Sequence, residues 1–331
     1  MKVYLYEPLT GFHELKGKIL AGGNPLSTGR IYGEVLEAVK SSNFYTEDPN
    51  EACFFMAGFD TSCEANKCYP GENLMHQMLH SLKYWNTGNN HILFENSDNY
   101  YIPYDPENAI TIRTSQNAKY FRSKYDIPIG LTSHNARTFS EQEVPSMSER
   151  QFNVSFVGTL YKKYNFRRNL APLHDNVKNF IILECRDLED VACNRDQSSL
   201  EFEYLLKNSK FGIAAKGVGL HSYRLAEAMA AGAIPIVVAD DYVLPFEEVL
   251  PWYKFSIRVR ENDVLNIPSR AADISEEQLS RMQKMARCVF KEYMSTIGLQ
   301  VVNGLTLLQR RLNILDGKVV DDSFWHKCDV V

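Results

Sequence analysis

Apolar positions along the chain fall into short blocks separated by stretches with helical spacing. KVYLYEP at the amino end reads as a strand. From Ser27 to Ser41 the apolar residues Ile31, Val35 and Val39, with Leu36 beside them, recur at helical intervals. EACFFMAGF is a short, nearly continuous apolar run, as expected of a strand buried on both faces. A helical stretch from about Leu74 to Trp85, the strand HILFE, the strand AITIRT and a short helix over Asn117–Ser123 follow. Thr138–Gln151 then turns polar and reads as a linker. Beyond it the alternation restarts: FNVSFVG, a helix from about Phe166, NFIILEC, a helix near Glu201–Asn208, FGIAAK, a helix over Ser222–Ala231, and AIPIVVA. Ser275–Leu315 reads as mostly helical. Strand–helix–strand repetition with short links predicts α/β architecture, with two doubly wound Rossmann-like domains facing a cleft. The expected division is residues 1–145 and 146–331. Ligands of such sheets sit at the carboxyl ends of the strands, where loops meet helix N-termini.

Composition narrows the class. A chain of 331 residues with 44% apolar and 23% charged types is long enough for two cores and too apolar for a disordered polymer. A formal charge of −5 argues against a general nucleic-acid binder. The longest apolar run, Ala228–Ala239, is broken by Gly232 and Pro235, so no membrane span is expected. The sequence passes from Met1-Lys2 directly into VYLY, which predicts no signal peptide or anchor and a cytoplasmic protein. Seven cysteines, at 53, 63, 68, 185, 193, 288 and 328, include no C-x-x-C pair, and a zinc site is not expected. Cys185 and Cys193 are close enough for a loop disulfide in an oxidising compartment and would stay thiols in a reducing one. The sequon Asn153-Val154-Ser155 lies inside FNVSFVG, a buried-strand pattern, and is discounted.

The segment richest in candidate chemistry is Lys210–Leu250. A strand ends in Lys216-Gly217-Val218-Gly219, a turn whose backbone amides can approach an anion, and a helix starts near Ser222. Arg224 and Glu227 are three apart and share a face of that helix. An arginine there can hold a diphosphate, and a carboxylate one turn later can accept the two hydroxyls of a ribose. The same pair is also what a surface ion pair on an amphipathic helix looks like. The alanines let the helix lie close to the sheet, and Gly232 is placed to end it. A second cluster, Tyr161–Arg168, carries four cations in eight residues at the first strand-to-helix turn of the second half. Its charge suits a phosphorylated ligand or a solvated basic loop.

Several long segments resemble the exostosin family of glycosyltransferases: SKFGIAAKG, HSYRLAEAMAAGAIPIVVADDYVLPFEEVLPW and the FVG…RRN stretch. FYTEDPNEACFFMAGFDTSC and YWNTGNNHILFE in the first half are similar to that family in order and spacing, so the likeness runs from about Lys2 to Leu312. The resemblance implies a GT-B fold with a nucleotide-sugar donor on the C-terminal domain and a glycan acceptor mainly on the N-terminal one. It also implies an inverting transfer without cofactor or obligatory metal. Carried onto this chain, it places Arg224 and Arg168 on the donor diphosphate, with Arg167 replacing Arg168 if the register slips by one, and Glu227 on the ribose. Lys216, Gly217, His221 and Ser222 would line the phosphate-facing turn, with Asp241 and Tyr242 in the loop after AIPIVVA. The sequence departs from the family at Gly212, where a cysteine is common, and in lacking a membrane anchor and stem. Cys185 and Cys193 lie where the family often has a loop disulfide.

The expected reaction is sugar transfer from a UDP-sugar (xylose, glucuronate, galactose or arabinose) to a glycan hydroxyl. Inverting transfer needs a base. Carboxylates just past predicted strand ends in the first half are Glu7, Asp60, Glu95 and Asp98. Asp60 is preferred because it ends the most buried-looking strand and has a counterpart in the matching stretch of exostosins; Asp98 is second. Asp60 is equally suited to cap the turn through Thr61 or Ser62. Retaining GT-B enzymes often pair glutamates eight positions apart, and the partner of Glu227 would fall on Gly219, which has no side chain. A catalytically silent glycan-binding or partner-supporting fold is the non-enzyme alternative.

Overall fold

The computed structural model describes residues 1–7, 25–62, 74–140, 143–160, 165–184 and 198–329. Its described strands form two all-parallel sheets. The first contains β1 (Val3–Leu5), β2 (Tyr45–Thr46), β3 (Phe54–Met56), β4 (His91–Glu95), β5 (Ile110–Arg113) and β6 (Asp126–Pro128), in the order β2-β1-β3-β4-β5-β6. The second contains β7 (Phe152–Gly158), β8 (Phe180–Glu184), β9 (Ser209–Ala215), β10 (Ile234–Val238) and β11 (Ile257–Arg258), in the order β11-β10-β9-β7-β8. Every residue of β4 and β10 is buried, as expected of central parallel strands covered on both faces, and in β4 this includes His91 and Glu95 at its two ends. The doubly wound α/β class is therefore as the alternation predicts.

The chain divides into two compact units. The first comprises Met1–Gly130, Asp241–Glu248 and Thr296–Asp321; the second comprises Leu131–Asp240, Val249–Ser295 and Asp322–Val331. These bounds differ from the expected 145/146 division in two ways. Residues 131–145, expected in the first domain, lie in the second unit. They include the helix His134–Ser140, whose Phe139 ring lies 6.3 Å from that of Phe202 in the second unit. The long helix Ile297–Leu315 belongs to the first unit rather than the second. It packs on the helix Pro25–Lys40 so closely that a Cβ on Gly298 would stand 2.7 Å from that of Ala38.

In the second unit the sheet core is built from Val154 and Phe156 of β7, Phe211 and Ile213 of β9, and Ile234 and Ile236 of β10. The helix Tyr223–Ala230 lies against β9 through small residues on both sides. A Cβ on Gly212 would meet the Cβ of Ala228 at 2.9 Å, so this close approach accounts for glycine at that position. Gly232 has φ +71° just past the helix end, the left-handed conformation that a C-terminal glycine supplies. A Cβ there would stand 2.8 Å from Nη2 of Arg150. That guanidinium is itself buried and donates to the carbonyls of Ser209 at 2.6 Å and Ala231 at 3.0 Å.

The helix Glu276–Val289 starts in a capping box formed by Ser275 and Gln278, and a π-turn over Phe290–Met294 closes it. Cys288 at its end is bonded to Cys328, with Cα atoms 5.6 Å apart. The sequence reading singled out a different pair, Cys185 and Cys193, and both lie outside the described residues. Asn153, of the discounted sequon, is the second residue of β7 and is half-buried, with the buried part of the strand beginning at Val154. Among the described residues no helix is long and apolar enough to cross a membrane.

Candidate functional site

In the second unit β8 lies on one side of β7 while β9 and the strands after it lie on the other. The connections therefore part in opposite directions between β7 and β9, and open α/β sheets bind ligands at the carboxyl ends of strands flanking such a point. Arg167 bridges it. Its Nη1 donates to the carbonyl of Thr159, just past β7, at 3.1 Å, and its Nη2 donates to Ala215, the last residue of β9, at 2.8 Å. The ring of Phe156 supports the guanidinium from 5.7 Å. Arg167 is buried, whereas its neighbour Arg168 is exposed. Of the two adjacent arginines, the one named second at sequence level is the one turned inward. The lysines of the same basic cluster, Lys162 and Lys163, lie outside the described residues.

The turn after β9 carries the next groups. Lys216 donates to Oε1 of Glu261 at 2.7 Å and lies 5.6 Å from the ring centre of Phe166. Gly217 does not have a positive φ, so the turn needs no glycine for that reason. A Cβ there would stand 3.7 Å from Nη2 of Arg167, an ordinary contact. His221 is buried, and Ser222 caps the following helix by accepting the N–H of Arg224 at 3.3 Å. The predicted helix start is thus correct to one residue.

Arg224 and Glu227 form a charge pair on this helix. It is not the exposed ion pair of an amphipathic surface, because Glu227 is only 2% exposed. Ser133 donates to its Oε1 at 2.7 Å and Asn135 donates to the same oxygen at 3.5 Å. Arg224 also donates through Nε to the carbonyl of Val157 at 2.9 Å, and its guanidinium carbon lies 4.2 Å from the ring centre of Phe202. Both carboxylate oxygens are therefore engaged, and both cations of this helix start and turn are matched by carboxylates. An anionic ligand at either of these two cations would exchange partners with Glu227 or Glu261. Ser133, Asn135, Phe202 and Glu261 were not foreseen. Their separations from Glu227 in sequence leave no local pattern to find them by.

Asp241 and Tyr242 fall in the first unit rather than with the other candidates. The carbonyl of Asp241 accepts the N–H of Ala118 at 2.8 Å, Tyr242 pairs with Asn117 as an isolated antiparallel bridge, and the Tyr242 ring is buried.

The first sheet has its own divergence between β1 and β3. Asp60 follows β3 there and is half-buried. Its Oδ1 accepts the N–H of Ser62 at 2.8 Å, which is the turn-capping role. Burial drives the Tyr32 hydroxyl well above its ordinary range, and the charge of Asp60 pushes the same way. Tyr32 consequently stays protonated and donates to the carbonyl of Ala57. Asp98, beyond β4, is exposed, and Glu95 on β4 is fully buried. Glu7 is exposed.

Two parallel, doubly wound sheets define the chain as an α/β protein of two Rossmann-like units. The Exostosin GT47 domain matches residues 1–274, and the chain belongs to that family of glycosyltransferases. It is 28% identical to an Exostosin-1 homolog of Caenorhabditis elegans over 86% of this chain and 81% of that protein. It is 27% identical to Exostosin-1 of Drosophila melanogaster over 94% of this chain, but spans only 43% of that protein. With Exostosin-2 of Bos taurus it shares 28% identity over 94% of this chain and 44% of that protein. The chain thus spans less than half the length of two of these relatives.

Proposed function

We propose that the protein is an inverting, GT-B-type transferase that moves a sugar from a UDP-sugar to a glycan hydroxyl without an obligatory metal. The observation that carries the reading is the bridging of β7 and β9 by Arg167 beside the Arg224–Glu227 helix start. In this reading the diphosphate lies across the turn Lys216–Ser222, where Arg167, Lys216, Arg224 and the helix N-terminus balance its charge. Glu227 accepts the ribose hydroxyls, which replace or share the Ser133 contact. Arg168 takes the outer side of the diphosphate or has no part in it. Asp60 removes the proton of the attacking hydroxyl, with Asp98 as the second candidate. Gly219 leaves no carboxylate eight positions before Glu227, which favours inversion over retention.

The donor sugar is one of xylose, glucuronate, galactose or arabinose. The Cys288–Cys328 bond favours an oxidising compartment over the cytoplasm expected from the sequence. The test is a calorimetric panel of UDP-sugars on the full chain, followed by UDP release with the tightest donor in the presence of EDTA. Stabilisation and turnover with one donor support the reading. Binding without turnover in the presence of acceptor oligosaccharides favours the silent, glycan-binding alternative, and no binding of any UDP-sugar sinks both.

A further inference from the structure

We propose that His76, His80 and Glu107 form a binding site for a divalent transition-metal ion of the zinc type. His76 and His80 are one helical turn apart on Leu74–His80, so both imidazoles leave the same face. Nε2 of His80 is 2.6 Å and Nδ1 of His76 is 3.9 Å from Oε1 of Glu107. The three ligand atoms lie within 4.8 Å of one another. A tetrahedral zinc ion with bonds of ~2.0–2.1 Å would set them about 3.3 Å apart, so sub-ångström side-chain shifts suffice.

The carboxylate is delivered by a loop held from several directions. Glu107 has φ +49°, a left-handed conformation that a non-glycine residue keeps only when the surroundings enforce it. Here the Glu107 N–H donates to Asp105 at 2.9 Å, and Arg122 donates to the Glu107 carbonyl at 2.9 Å. Asn108 donates both its backbone and side-chain N–H groups to the carbonyl of Thr87 at 3.2 Å. Glu107 itself is mostly buried, with its side chain 16% exposed, while His76 and His80 are 52% and 42% exposed. That is a fixed anionic base with two imidazoles open to an entering ion. Two imidazoles and one carboxylate suit zinc, cobalt, nickel or copper, and offer little to magnesium or calcium, which prefer all-oxygen sites. Three protein ligands leave a fourth position for water. Occupancy would tie the helix Leu74–His80 to the loop Asp105–Ala109. No residue of the proposed donor site takes part, so metal-independent transfer is not affected.

The experiment uses the full chain stripped with EDTA and desalted, titrated with Zn²⁺ by calorimetry and with Co²⁺ by visible absorption. One equivalent of each ion should bind, and Mg²⁺ should not compete. His76 and His80 are exposed, so their substitution leaves the fold intact by circular dichroism. Loss of a ligand should cost at least what loss of a supporting group costs, about 10–100-fold in affinity. That loss is expected in His80→Ala and in His76→Ala, and also in Glu107→Gln, where the loop conformation survives. Zinc binding unchanged in the His76→Ala/His80→Ala double variant, or absent from the wild-type chain, overturns the proposal and leaves only a His80–Glu107 hydrogen bond.

Discussion

Ser133 donates its hydroxyl to Oε1 of Glu227 at 2.7 Å, across 94 positions of sequence. The contact orients the carboxylate from one side while Arg224 holds it from the other. If Glu227 accepts ribose hydroxyls, the protein should bind UDP more tightly than 2′-deoxy-UDP. A hydrogen bond to a charged group is worth ~1.5–3 kcal/mol, or about 10–100-fold in binding. Glu227→Ala should lose that preference, while Ser133→Ala should keep it and lower thermal stability. Equal loss of both nucleotides in Glu227→Ala would assign the residue to positioning Arg224 instead.

Arg167 and Arg168 are separable by the same measurement. Arg167 spans two strand ends, and lysine cannot reproduce a planar fork that donates to two carbonyls. Arg167→Lys is expected to stay folded and to weaken UDP binding by ~10-fold or more, the loss of about one charge-assisted contact. Exposed Arg168 should tolerate alanine with less than a threefold change. A reversal, with Arg168→Ala weak and Arg167→Lys normal, would restore the order preferred from sequence.

His91 gives a pH-dependent prediction with a definite sign. Its Nδ1 lies 3.0 Å from the carbonyl of Asn89 and so carries the proton, while Nε2 accepts from the Tyr6 hydroxyl at 3.0 Å. Tyr6 in turn accepts the N–H of Tyr84, and burial pushes its own pKa up to about 12. Protonating His91 would turn Nε2 into a second donor facing Tyr6. Desolvation accordingly lowers the imidazole pKa. A base depressed in the folded state takes up fewer protons than in the unfolded chain, so stability falls as pH drops below the unfolded value of ~6.5 toward the folded one. NMR of the His91 ring should show it neutral where exposed histidines have titrated. His91→Gln should flatten the fall of thermal stability as pH drops below about 6.5. A normal His91 titration would refute the argument.

The bond between Cys288 and Cys328 closes a loop of 40 residues. Chain-entropy reasoning gives a stabilisation of about 4 kcal/mol for a loop of that length. Thiol titration of the oxidised, denatured chain should find this pair unreactive, and peptide mapping should recover the two cysteines together. Cys288→Ser/Cys328→Ser should lower the melting temperature by roughly 5–15 °C. An unchanged melting temperature under reductant would mean that the aromatic packing of Tyr293 on Trp325, with rings 5.4 Å apart, holds the segment unaided.

Sheet membership was readable because β4 and β10 are built on short apolar blocks, Ile92–Phe94 and Ile234–Val238, and the small-residue helix Tyr223–Ala230 announced its close seat on β9. The unit boundaries were not readable. Polarity in Thr138–Gln151 looks the same whether a segment links two units or lies on the surface of one. Nor could spacing place Ile297–Leu315, since a helix pattern says which face is buried and not what buries it. At the site, Arg224 and Glu227 were legible from their shared helix face. The choice between Arg167 and Arg168 was not, because a four-residue helix, Asn165–Arg168, is too short for periodicity to fix its inward side. Ser133 had no local signal, since its role depends entirely on a carboxylate 94 positions away. His76 and His80 show an i, i+4 spacing that a search for cysteine clusters passes over.

The helix Ile297–Leu315 completes the unit that begins at Met1, and this has a consequence for synthesis. Gly130 emerges from the ribosome about 170 residues before that helix begins, roughly 10–30 s earlier at ~5–20 residues per second. Throughout that interval the helix Pro25–Lys40 lacks the surface that Gly298 presses against Ala38. The first unit is therefore built early and closed late.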